Sequence, residues 1–92
     1  MNISQTWRSE SRDGRPACVQ IDVLEDHYRV AIFWGDSLDA CALKNLMDAV
    51  CPDATASIPR ERTGRIEAFL HQNQLALPAW VAKALGVTRG RA

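Results

Sequence analysis

Five side chains of this 92-residue chain could hold a metal ion or act as a nucleophile or base: Cys18, Cys41, Cys51, His27 and His71. Structural zinc sites draw close pairs of ligands from one turn or loop, and no two of these five lie two to four residues apart. The spacing speaks against a metal centre. Cys41 falls on the polar side of an expected helix, one turn before Lys44, whose charge would favour a thiolate. With no histidine identifiable as its base, a small residue at a helix border is the simpler reading. Glu67 and His71, four residues apart, could set a carboxylate beside an imidazole, but a solvated surface pair has the same spacing. No nucleophile elbow, phosphate loop or H-E-x-x-H segment occurs. We therefore expect no catalytic residue, no cofactor and no enzyme.

The arginines carry more information. Arg60, Arg62 and Arg65 cluster, and Arg89 and Arg91 follow near the end. On a helix Arg62 and Arg65 are neighbours, while Arg60 points about 160° away from Arg62, so no continuous basic stripe forms. In extended chain Arg60 and Arg62 share a side that could meet a phosphate backbone. Residues 1–50 carry five basic and eight acidic side chains, net −3, and residues 51–92 carry six and three, net +3. The total of zero argues against a general polyanion binder, while the division suits electrostatic steering toward a partner. The candidate partner-binding residues are Arg60, Arg62 and Arg65 on one side and Asp22, Glu25 and Asp26 on the other. Trp7, Trp34 and Trp80 are of a type favoured at interface hot spots. A chain this small also needs such rings for its core, and Trp34 and Trp80 are expected inside, with Trp7 at a border.

These residues must be placed by a fold, and the chain's best period-2 pattern lies between Ala17 and Trp34. Val19, Ile21 and Val23 alternate with Gln20 and Asp22, and Tyr28, Val30, Ile32 and Trp34 alternate with Arg29 and Ala31. The pattern predicts a β-hairpin with the aliphatic set buried, reversing at Glu25, Asp26 and His27 without an Asn-Gly or Asp-Gly pair to fix the turn type. Ile3 to Ser11 alternates more loosely and reads as a first strand, followed by a turn at Asp13-Gly14. Leu38 to Val50 reads as an amphipathic helix, opened by Asp36 or Ser37, with Leu43, Leu46 and Val50 on the face covering the sheet. Pro52 ends it.

Ala54 to Ile58 can form a short strand, and Pro59 can open a second helix, in which Ile66, Phe69 and Leu70 share a face. A short third helix runs from Ala79 to Leu85, after Pro78 and with Gly86 as its left-handed cap; Trp80, Val81, Ala84 and Leu85 lie on one side. Residues 87–92 are expected to fray. At this size roughly 64% of the unfolded chain's surface is buried on folding. With no linker or repeat, we expect a single α+β domain over residues 1–92: a small antiparallel β-meander of two to three strands covered by two to three helices.

No apolar run reaches the length of a membrane span and the first residues lack a secretory core. The three cysteines are read as reduced thiols, and the protein as cytoplasmic. Nine of the eleven basic residues are Arg, which suggests a bacterial or viral gene. Val81 to Arg89 resembles the first helix and turn of a phage-repressor-type helix-turn-helix, over about a tenth of the chain; that motif's recognition helix would need residues beyond Ala92. The expectation is a small non-enzymatic protein that binds a macromolecular partner, a protein, as a regulator or inhibitor. A bacterial or phage-encoded antagonist of a host complex, of the anti-CRISPR kind, fits the size and the missing catalytic groups. The alternative is a nucleic-acid binder using the Arg-rich second half. Monomer and dimer are equally compatible with the sequence.

Overall fold

The computed structural model describes residues 3–36 and 50–87. Their period-2 stretches become four strands, β1 (Ile3–Glu10), β2 (Pro16–Val23), β3 (His27–Trp34) and β4 (Ala54–Pro59). They pair in chain order as one antiparallel sheet, β1-β2-β3-β4. The fold is α+β as expected, with one strand more than the meander of two to three.

The turns follow from their residues. Between β1 and β2, Gly14 adopts a φ of +87°, open to glycine alone without strain, and the Ser11 N–H donates to the Arg15 carbonyl at 2.9 Å. Between β2 and β3 the Leu24 N–H donates to the His27 carbonyl at 2.9 Å. Gln74 is the sole non-glycine residue at positive φ among the described residues, so the Glu25-Asp26 reversal is not of the primed type that Asn-Gly would specify.

Pro59 does not open a helix. Its φ of −56° and ψ of 145° continue the strand, because the residue before a proline is held extended and Ile58 gains by burying its side chain opposite Tyr28. A 3-10 turn, Arg60–Arg62, follows, and α1 runs from Gly64 to Gln72. The last helix, α2, spans Ala79–Leu85. Both helices end alike. Leu75 and Gln74 N–H groups return to the Leu70 and His71 carbonyls at 2.8 and 2.9 Å, and Val87 and Gly86 N–H groups to those of Ala82 and Lys83 at 2.9 and 3.2 Å. These are Schellman closures, with Gln74 (φ 64°) and Gly86 (φ 73°) in the left-handed position.

One face of the sheet presents Trp7, Val19, Ile21, Val23, Tyr28, Val30, Ile32 and Ile58 to Ile66 and Leu70 of α1, Leu75 and Leu77 of the connection, and Val81 and Ala82 of α2, forming one buried cluster. The opposite face is buried as well at Cys18, Gln20, Asp22, Ala31 and Phe33. Alternation predicts Gln20 and Asp22 in water; they are buried because β2 is an inner strand whose two faces are both covered. No helix among the described residues is long and apolar enough to cross a membrane.

Three further expectations change. Trp7, opposite Val19 on the aliphatic face, is 5% exposed, whereas Trp80 is 55% exposed and meets the Trp7 ring edge-on at 6.5 Å. Trp80 stands out because α2 turns Val81 and Ala82 inward from its first turn. Val50 is exposed, since it lies in a bend two residues before Pro52. The rest of the expected 38–50 helix, with Leu43 and Leu46, lies outside the described residues, as do residues 88–92. Val87 is half-buried against the core.

Candidate functional site

Among the described residues β4 is the outer strand on one side of the sheet. The Arg60 N–H donates to the Asp26 carbonyl at 3.2 Å. In an antiparallel ladder the bonding direction alternates, so Ala54, Ala56 and Ile58 turn their backbone groups toward β3 and Thr55 and Ser57 turn theirs outward. The side chains of Thr55 and Ser57 are small and exposed.

Helix α1 is pinned over the sheet by Ile66 and Leu70, both fully buried. That anchoring leaves Arg65, Ala68, Phe69 and Gln72 facing Ala56, Ser57 and Ile58 of β4 across an open groove of about 370 Å³. Apart from Arg65, every side chain lining it among the described residues is uncharged. Arg62 and Arg65 are exposed, and neither has an ion-pair partner among the described residues.

The other nominated residues take different places. Arg60 is engaged in the fold: its Nη1 donates to the Leu24 carbonyl at 3.0 Å and its guanidinium lies 5.2 Å from the Tyr28 ring centre. Thus the structure brings Arg60, alone of the three arginines, against the Leu24–Asp26 turn that carries Glu25 and Asp26. Glu25 is exposed, and Asp26 is exposed with its carboxylate 2.7 Å from His27 Nδ1, a hydrogen bond that holds the Asp26 carboxyl below its ordinary value.

Asp22 does not belong to that surface. It is 6% exposed, with Oδ1 accepting from Ser4 Oγ and from Gln20 Nε2 (3.0 Å) and Oδ2 accepting from Arg29 Nη2 (3.0 Å). Burial opposes its ionisation, but the bonds from Ser4, Gln20 and Arg29 outweigh that and hold its carboxyl below the ordinary range. Ser4, Asp22, Arg29 and Ser57 lie in one row across all four strands. Sequence reasoning missed this row, although Asp22 and Arg29 stand equally far from the centre of the Glu25-Asp26 turn, which is the signal for a cross-strand pair.

Elsewhere, Glu67 and His71 line a shallow hollow with Gly64, Ala68, Leu75 and Ala76. Cys18 is buried and Cys51 exposed, while the expected pairing of Cys41 with Lys44 lies outside the described residues. Among the described residues no three His, Cys, Asp or Glu side chains gather as a metal ion would require. Comparison with protein-family models, curated proteins and solved structures finds no match for this chain.

Proposed function

We propose that this chain is a non-enzymatic protein that binds another protein, as a regulator or inhibitor, through the corner where β4, the 3-10 turn and α1 meet. The observation that carries this reading is the pair of exposed guanidinium groups, Arg62 and Arg65, neither with an ion-pair partner among the described residues, with Arg65 lining a groove beside the strand that is outermost among those residues. Arginine is the side chain best suited to answering a partner's carboxylates, since its planar fork matches them bidentately. Exposed Glu25 and Asp26 on the adjoining turn add a complementary charge that fixes orientation. An anti-CRISPR-like antagonist of a host complex is one form of this reading, decided by the identity of the partner.

The test is affinity capture from a host lysate with the wild-type chain and with the Arg62→Glu/Arg65→Glu double variant, both checked for unchanged thermal unfolding. A partner retained by the wild type and depleted at least tenfold by the variant supports the reading. A titration with labelled duplex and single-stranded nucleic acid accompanies it. Binding there that weakens steeply with salt, together with no protein captured, would replace this reading by the nucleic-acid one.

A further inference from the structure

We infer that the outer edge of β4 receives an extended segment of the partner protein as a fifth strand, with an apolar side chain of that segment entering the groove beside α1 and a neighbouring carboxylate pairing with Arg65. The inference rests on the protein-binding reading and specifies what docks.

Strand addition needs free main-chain groups in extended geometry. Facing away from β3, Thr55 and Ser57 each turn an N–H and a C=O outward and Pro59 a C=O, five groups along one short edge that no strand among the described residues pairs with. Proteins ordinarily guard such an edge with charge, and the opposite outer strand does so with exposed Arg8 and Glu10. The run Ala54–Pro59 carries no charge, and its proline stands at the last position, where it ends the edge and leaves the preceding groups free.

The groove supplies selectivity. Strand side chains alternate, so every second residue of an added strand would face α1, over Ala56, Ala68 and Phe69. This apolar floor suits an aliphatic or aromatic side chain. Arg65, the one charge lining the groove among the described residues, selects a carboxylate close by in the same segment. A second copy of this chain fits less well, because it would present the same uncharged strand and the same arginine and so leave Arg65 unanswered.

The experiment selects random ten-residue peptides, displayed on phage, against the full chain, and then studies the synthetic peptide of the enriched consensus. The expected consensus places Asp or Glu near an apolar residue. The Thr55 and Ser57 amides should gain at least tenfold protection from hydrogen exchange when the peptide is added. Arg65→Glu should weaken binding at least tenfold, and replacing the peptide's acid by Lys should restore it. N-methylation of alternate peptide amides should abolish binding, a control that leaves the protein unaltered.

Peptide binding without protection of those two amides, no enriched acidic peptide, or self-association of the chain through β4 would each overturn the inference. Should the intact chain still capture a partner through Arg62 and Arg65 in that event, the docking reading stands while the edge inference falls.

Discussion

The two outer strands of the sheet differ in how they are held and how they are guarded. β1 is eight residues long and inserts Trp7 into the core; Ser4 binds the Asp22 carboxylate and Arg8 donates to the Asp36 carbonyl at 2.6 Å. β4 is six residues long, contributes Ala54, Ala56 and Ile58 to the same face, and at the Ser57 end of the Ser4-Asp22-Arg29 row adds no further side-chain bond among the described residues. Charge is spent on the edge already locked to the interior. The shorter edge is left neutral and flanked by Arg65, which has no ion-pair partner among the described residues. An edge kept bare in this way has a use in recognition that would outweigh its aggregation hazard.

The largest effect should come from unlocking β1. Trp7→Ala is expected to cost about 3–5 kcal/mol in urea unfolding, from lost burial and the cavity left beside Trp80. Ile58→Ala on β4 should cost about 2 kcal/mol, the low end for a buried isoleucine, since small neighbours can close over it. Among the described residues Trp7 Nε1 is buried without a partner, so Trp7→Phe forfeits no hydrogen bond to them and loses only part of the ring's packing, costing about 1–2 kcal/mol, well short of Trp7→Ala. Equal costs for Trp7→Ala and Ile58→Ala would erase the asymmetry between the edges.

Next in size is the row that ties β1 to the centre. Asp22→Asn replaces two accepting oxygens by one and turns an amide donor toward Arg29 or Ser4, at a cost of about 1–3 kcal/mol near neutral pH. The folded-state pKa of Asp22 lies below its ordinary value of 3.8, so its contribution is full above that value and is lost as pH falls through the depressed one. The stability difference between wild type and variant should therefore be flat from pH 7 to 5 and shrink below about pH 4. A gap that widened in acid would show that Asp22 is not the ionised acceptor of this row.

How much of this was legible beforehand depended on which physical signal each element left in the sequence. The β2–β3 hairpin showed itself because a half-buried strand forces period 2, and α2 because Pro78 and Gly86 punctuate it. Alternation reports which residues share a face and says nothing of whether the second face is covered, so the burial of Gln20 and Asp22 was beyond it. Trp7 and Trp80 were exchanged for a like reason: depth depends on the layer opposite, which for Trp7 includes Trp80, 73 positions further on. Arg60 read as a free cation because its partners, Leu24 and Tyr28, meet it only through the β3–β4 pairing. The groove was least visible of all, since Ala-Thr-Ala-Ser-Ile is a weak strand pattern and its outer position follows from the whole sheet order.

Two smaller effects bear on β4 itself. Asp53 Oδ2 accepts the Trp34 N–H at 2.7 Å and clips the start of β4 to the end of β3. Because the site is exposed, Asp53→Ala should cost only about 1 kcal/mol, with faster hydrogen exchange confined to the Ala54 end of the strand.

The smallest change in stability, and the sharpest test of the comparison, is Thr55→Lys. Residue 55 is exposed and lies opposite Ala31, so a lysine there faces no charge across the β3–β4 pair, whereas at residue 57 it would face Arg29. Its effect on urea unfolding should stay within about 0.5 kcal/mol. It gives β4 the guard that β1 already has, a charge on the outer strand that disfavours any further pairing. If the bare edge serves recognition, Thr55→Lys weakens partner capture while the free protein is unaltered in fold and solubility. If the edge is merely unguarded, the same substitution improves solubility and leaves capture intact, and the asymmetry of the sheet then carries no function.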